Sequence, residues 1–490
     1  MIKKPSNQLT IDSFMDATIG QLNPKNRWVN LAKMIPWAPL CSIYESKMNK
    51  RKGAPSKDAR LVIGALLIKH KLKLSDQEAV EQIQENPYLQ FFVGLPRFTY
   101  EKPFDSSLFT HIRKRFVTSD FNKMTQILQS FEIEINETGQ TFTEENESEE
   151  NTNQERNIIV VDATVAPQEI PYPTDHSLVA TARVQSELII DKLWFHIADK
   201  ASGKPRTYRE TARKAFVQAH KKRNKDKAFW LKVTDQQLRY LERNIRSIHR
   251  LLDSIEEGIP LNEKFLKLLY VIQEVARQQR QKIESDTNVI EHRIVNVFQP
   301  HVRPIKRGKD NADTEFGSKL SLSIDNGYTF LDKVSWENYY EGRDDIVEQH
   351  IDSYHQRNPK SKLDGLVGDK VYGNKKAREK MNNMDVEFIG TPLGRPPKDP
   401  GKIKQREKNQ QVHQQLRSRV EGKIGQSKRG YGLDKIKAKR SDTSLTWIAC
   451  ILLVTNLERF WKGIFFDLIY LMIEYDLWEI TDQEISHKCK

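Results

Sequence analysis

NIIVVDATVAP, residues 157–167, is an apolar run dense in β-branched side chains. It has the composition of a buried strand, and its expected end carries one carboxylate, Asp162. Before it, residues 132–156 are polar and of low complexity; 132–155 hold nine Glu and no Lys or Arg, which reads as a flexible acidic linker. After it, strands resume in FGSKLSLSIDNGYTFLDKVSWENYY (316–340), where Asn326-Gly327 marks a tight hairpin. A helix over 346–357 and a strand in LDGLVGDKVYG ending near Asp369 follow. A helix over 374–383, the strand VEFIGTP and a long basic helix bearing Glu421 complete the series.

One stretch interrupts this order. Leu238, Leu241, Ile245, Ile248, Leu252 and Ile255 are spaced 3, 4, 3, 4, 3, and Phe265, Leu268, Ile272 and Val275 continue the spacing beyond a turn. The pattern predicts an antiparallel helical hairpin within about 208–293, inserted into an α/β domain with a packing or oligomerisation role. Without it the order is β-β-β-α-β-α-β-α, that of a ribonuclease-H-like mixed sheet whose first three strands are antiparallel and whose later ones follow helical crossovers.

Residues 28–131 read as short helices. SKDARLVIGALLIKHKLK has apolar residues at helical spacing, Ser75 and Glu78 form a capping-box pattern, and FDSSLFTHIRKRF gives a basic helix with Arg113 and Arg115. Such an arrangement suits an all-helical N-terminal DNA-binding domain over 1–131, with a bundle bearing a solvated basic face as the alternative. Residues 157–460 form the α/β domain and 461–490 a helical tail.

The chain of 490 residues is too long for one ordinary core. Its net charge of +13 becomes +22 once the acidic stretch is set aside, which favours a polyanionic partner, nucleic acid first. Three scattered cysteines give no disulfide framework or zinc module, so a reducing cytoplasm is expected. LTWIACILLVTNL (445–457) is too short to span a bilayer before Glu458 and reads as a buried helix, so no membrane partner is expected. No Walker A, HExxH, GxSxG or CxxC pattern supports ATP-driven, zincin or serine-hydrolase chemistry.

In the strand order above, Asp162 and Asp369 end neighbouring strands, and the helix carrying Glu421 packs across the sheet. Each residue alone has a plain alternative: a turn or cap for the aspartates, a surface ion pair for the glutamate. Together, three converging carboxylates repel one another unless cations join them. Hard oxygen ligands suit Mg²⁺ or Mn²⁺, and a pair of such ions catalyses in-line phosphoryl displacement. Asp325, in the hairpin turn, and Asp364, before its strand, rank lower.

VVDATVAPQEIPYPTD, RGKDNADTEFGSKL, VGDKVYG and RSRVEGKIGQSKRGYGL together resemble the DDE transposases of bacterial insertion sequences, in the IS-five-like group. The N-terminal GAPSKDARLVIGALLIKHKLKLSDQEAVEQIQENPYLQFFVGL is similar to the helical domain that precedes the catalytic domain there. The resemblance implies a DDE metal triad of Asp162, Asp369 and Glu421, two Mg²⁺ (or Mn²⁺) ions, and DNA cleavage with strand transfer. The superfamily pattern Tyr, two residues, Arg, three residues, Glu, six residues, Lys is met by Arg417, Glu421 and Lys428, with Gln414 in the tyrosine position.

The expected activity is therefore a transposase that binds terminal inverted repeats and joins a freed 3′-hydroxyl to target DNA, as a homodimer on paired ends in the nucleoid. Arg417, Lys423, Lys428 and Arg429 are expected on DNA near the triad, and Arg113 and Arg115 in the N-terminal module. A ribonuclease-H-like nuclease or resolvase without strand transfer is the alternative, and a domesticated, catalytically silent DNA-binding protein a further one.

Overall fold

The computed structural model describes residues 22–49, 55–140, 156–197, 203–223, 225–255, 258–287, 289–306, 314–394 and 399–474. Before the first strand these form helices α1 (Arg27–Met34), α2 (Trp37–Glu45), α3 (Ala59–Lys71), α4 (Asp76–Glu85), α5 (Pro87–Phe92), α6 (Leu108–Arg115) and α7 (Thr118–Gln140). The predicted capping box is present: Ser75 Oγ accepts from Glu78 N, and the Glu78 carboxylate accepts from Ser75 N. The boundary expected at residue 131 falls inside α7. Glu132 is buried there, accepting from Tyr328 Oη at 2.6 Å and Arg459 Nη1 at 2.7 Å, so the acidic stretch begins as packed helix. Residues 141–155 of the predicted linker lie outside the described residues.

The sheet contains β1 (Ile158–Pro167), β2 (Arg303–Lys306), β3 (Thr314–Asp325), β4 (Tyr328–Ser335), β5 (Gly365–Val367) and β6 (Glu387–Ile389). Its order is β2-β3-β1-β5-β6, with β4 also on β3. β3 is antiparallel to β1 and β4, while β5 is parallel to β1 and β6. The Asn326-Gly327 turn has φ of +48° and +81°, the double positive that a two-residue hairpin with right-twisted strands requires. β1 continues beyond Asp162 to Pro167, so the aspartate sits within the strand rather than at its end.

Helices α12 (Asp344–Arg357) and α13 (Lys375–Asn383) pack Val347, Ile351, Ala377 and Met381 on one face of the sheet, against Ile159, Val161 and Leu366. Helix α14 (Pro400–Gly425) covers the other face, with Val420, Leu416 and Ile424 on Val160, Val367 and Ile324. A single π turn (Gln426–Gly430) ends α14. Helix α15 (Ser441–Glu474) follows, and its apolar stretch is buried as predicted.

Between β1 and β2 stand α8 (Asp175–Ile197), α9 (Arg209–Lys221), α10 (Lys227–Asp253) and α11 (Glu263–Glu284). The insertion thus opens at 175, earlier than the expected 208. Leu238, Leu241 and Ile248 of the predicted seam pack with Ile189, Ile190 and Leu193 of α8 as well as Ile272 and Val275 of α11. The hairpin is therefore part of a larger helical group.

The N-terminal helices have no core to themselves. Val62, Ile68, Phe92, Phe109 and Phe121 belong to one cluster with Leu320, Leu322 and Phe330 of the sheet and Ile448, Ile451 and Leu452 of α15. The outer edge of β4 is closed by two asparagines acting as a surrogate strand. Asn456 donates to Thr329 O and accepts from Thr329 N, each at 2.8 Å; Asn122 does the same for Leu331 at 2.9 and 3.1 Å. Among the described residues no helix is long and apolar enough to cross a membrane.

Candidate active site

β1 and β5 pair Ile158 with Gly365, Ile159 with Leu366 and Val160 with Val367. Two residues further in the same register lie Asp162 and Asp369. Side chains alternate along a strand, so Asp162 shares the face of Val160, which α14 covers. Asp369 leaves the sheet one residue beyond Gly368, in a turn where Tyr372 N donates to its carbonyl at 2.9 Å and Lys370 N to its carboxylate at 2.6 Å.

Helix α14 delivers the third acid. His413, Leu416, Val420 and Ile424 make its inward stripe, and the buried His413 Nε2 lies 2.9 Å from Gly368 O. That contact pins the helix beside the turn holding Asp369. Glu421 follows Val420 and so stands at the flank of the stripe, with 63% of its side chain exposed. Arg417, one turn earlier, lies between two of the acids: Nη2 is 3.2 Å from Glu421 Oε1 and Nη1 is 3.8 Å from Asp369 Oδ1.

Burial pushes the Asp162 carboxyl up to about 6, a hydrogen bond from Ala163 N partly opposing it. The negative charges of Glu341 and Glu421 push the same way as burial, and Arg417 pulls back. Arg417 thus pairs with Glu421 and approaches Asp369, and its charge also reaches Asp162. Among the described residues no three His, Cys, Asp or Glu side chains stand close enough to chelate one ion in this arrangement.

Glu341 had no sequence signal beyond its place in the connection after β4. It is held by Lys319 Nζ at 2.8 Å, and its charge reaches both Asp162 and Tyr372. The two lower-ranked acids are engaged elsewhere. Asp325 is buried and accepts from Asn358 Nδ2 at 3.2 Å, and Asp364 accepts from Asn157 N at 2.8 Å.

The predicted DNA-binding cations divide. Arg429 is exposed, and its carbonyl accepts from Lys73 Nζ at 2.7 Å. Lys428, carried by the π turn, lies 3.9 Å from Glu315 on β3 rather than beside Glu421, because the wider turn breaks the helical register assumed for it. Lys423 is half-buried and its pKa falls to about 8, through burial first and then the charges of Arg459 and Lys462. Arg115 is exposed and donates to Tyr44 Oη at 2.8 Å. Arg113 is corrected to a structural role: it is buried, pairs with both oxygens of Asp76 at 2.8 and 2.7 Å, and lies 5.5 Å over Trp447 of α15. Gln414, in the tyrosine position, is exposed on α14.

A Ser321–His350–Asp332 chain, with contacts of 3.0 and 2.6 Å, has the atoms of a hydrolase triad. Its side chains are sealed between β3, β4 and α12, and Arg357 completes it at 2.7 Å from Asp332; it serves to fix the helix on the sheet.

Residues 17–115 match the family described as Transposase domain (DUF772), and residues 366–458 match Transposase DDE domain. The second match includes Asp369 and Glu421. An uncharacterized protein, ORF8 in the nfe locus of Rhizobium meliloti, is 36% identical over 171 residues, covering 35% of this chain and 76% of that protein. No solved structure matches. The two transposase domains matched, one towards each end, and the relative matched over 76% of its length make this chain a member of the DDE transposases of insertion sequences, metal-dependent enzymes acting on DNA.

Proposed function

We propose that this chain binds the terminal inverted repeats of its element, cleaves to free a 3′-hydroxyl and joins that end to target DNA, with Asp162, Asp369 and Glu421 as metal ligands in a ribonuclease-H-like domain. The observation that carries the proposal is the single guanidinium of Arg417 holding Asp369 and Glu421 beside a carboxyl whose proton affinity is already raised. A group of acids that needs an internal counter-ion suits a hard divalent cation, and the all-oxygen donor set fits Mg²⁺ or Mn²⁺. Two such ions, when bound, activate the attacking water or hydroxyl and stabilise the leaving oxygen.

The chain's own residues do the rest. The β1–β5 register and the His413 contact support a site whose acids need little rearrangement when substrate arrives. Arg417 neutralises two of them in the free protein and is within reach to receive a phosphate when cations take over that task. The exposed Arg429 adds backbone attraction near the same helix end. Joining two ends calls for a homodimer, with nucleoid DNA as its site of action.

Asp369→Asn and Glu421→Gln should each abolish Mg²⁺-dependent cleavage of terminal-repeat DNA while leaving repeat binding within about twofold of wild type. Substantial cleavage by either variant would remove that residue from the triad. Precleaved ends that are never joined to target DNA would instead favour the nuclease reading.

A further inference from the structure

The helical insertion carries charge that its own packing does not use. Between Lys204 and Lys232 the chain has eleven Lys and Arg against two acids, Glu210 and Asp226. These residues run along α9 and round the corner into α10. Ala212 and Ala219 are the buried side of α9, which leaves Arg213, Lys214, Val217 and Lys221 outward. Among the described residues Arg206, Arg213, Lys221, Arg223 and Lys232 are exposed and have no carboxylate within ion-pair distance.

The rest of the insertion is mixed in sign. Along α10 and α11 Arg239 pairs with Asp235, Lys267 with Glu263, Arg277 with Glu274, and Arg280 with Asp235 and Glu242. Arg243, Arg246, Arg250 and Lys264, which have no carboxylate within ion-pair distance among the described residues, alternate with these acids. A merely solvated helix face would show that same mixture. The α9 face instead concentrates one sign, and like charges this close repel one another in the free protein.

The corner is also shaped. Lys225 Nζ donates to His220 O at 2.7 Å and lies 5.7 Å from the Trp230 ring, while Lys222 Nζ lies 5.0 Å from the Phe229 ring. Trp230 in turn stacks on His176 of α8, ring centres 3.9 Å apart and 12° from parallel. The aromatic rings thus hold the two lysine ammonium groups at the corner.

We infer that the outer face of α9 and the α9–α10 corner form a second DNA-binding surface, which grips the phosphate backbone of duplex DNA without reading its sequence. The inference rests on the transposase reading above for its partner, but on its own residues for its place. The charge complementarity is with a polyanion of regular spacing, and the unpaired cations at 213, 221 and 223 extend it along one helix face and past its end.

The test compares two triple variants of the full-length chain. Arg213→Ala/Lys221→Ala/Arg223→Ala removes three unpaired cations. Arg239→Ala/Lys267→Ala/Arg277→Ala removes the same charge from paired positions on the same insertion. Affinity for terminal-repeat duplex and for a scrambled duplex is measured across a salt series, with thermal unfolding recorded for each protein.

Each phosphate contact contributes about 0.9 to the slope of log K against log salt, so the first variant should lose roughly 2–3 from that slope on both duplexes alike. The paired-position variant should lose less than about 1. Unfolding of the first variant should match wild type, since none of its three residues is buried. An unchanged slope in the first variant, or equal losses in both, overturns the inference while leaving the DDE reading standing. Failure of the wild-type chain to bind either duplex overturns both. Selective loss on the repeat duplex alone also overturns it, since that would make the face a sequence reader.

Discussion

Replacing Asp162 by Asn should make the free protein more stable while ending its activity. The carboxyl is pushed from 3.8 to about 6 by burial among other acids, so above that value the native state holds an ion that it disfavours relative to the unfolded chain. A shift of about 2 units at about 1.36 kcal/mol each sets the cost at up to roughly 3 kcal/mol. Between 3.8 and about 6 the native state binds more protons than the unfolded one, so stability falls as pH rises through that window. An amide of the same shape cannot ionise. The variant should therefore gain up to about 3 kcal/mol at pH 8 but only about 1 kcal/mol at pH 4.5. Urea unfolding of wild type and variant at both pH values measures this, and added Mg²⁺ at pH 8 should stabilise wild type alone. Equal gains at both pH values, or no gain at pH 8, would show that the Asp162 carboxyl is not under electrostatic stress.

Other outcomes follow from the same geometry. Arg417→Ala should slow cleavage and joining, while the unfolding free energy from urea titration changes by no more than about 1 kcal/mol because Arg417 and the acids it pairs with are partly exposed; normal rates would return Arg417 to surface ion pairing. Asn456→Ala strips Thr329 of its surrogate strand and should cost roughly 1–3 kcal/mol in urea unfolding; a midpoint within error of wild type would show that the β4 edge closes without it. A fragment of residues 1–131 should expose the apolar side that α15 and β3 cover, bind a hydrophobic dye and unfold without a cooperative transition; a sharp two-state melt would show an independent domain.

The strand order was legible because it rests on local signals. Asn326-Gly327 announces its hairpin, and the apolar run at 158–161 its buried strand. The order also placed Asp369 and Glu421 near each other, where Arg417 now lies between them. What local reading missed was decided by distant partners. Helix α8 is buried on several sides and includes the sealed Arg183–Glu187 pair, so it shows no clean amphipathic period. Arg113 looked free because its partner, Asp76, lies 37 residues away and the ring over which it sits is in the last helix. Glu341 is fixed near the site by distant partners, Lys319 at its carboxylate and Asn374, whose Nδ2 donates to the carbonyl of the next residue, Gly342. Helix α7 runs across residue 131 because a composition change does not end a helix whose next residue, Glu132, has buried partners.

The shared core also sets a timetable for synthesis. Thr446 Oγ1 donates to the carbonyls of Arg113 and Phe116, across separations of 333 and 330 residues. At about 5–20 residues per second, the N-terminal helices emerge from the ribosome roughly half a minute before the helix that completes their packing. A message broken or stopped inside the sheet therefore yields N-terminal helices whose apolar side stays uncovered and open to proteases.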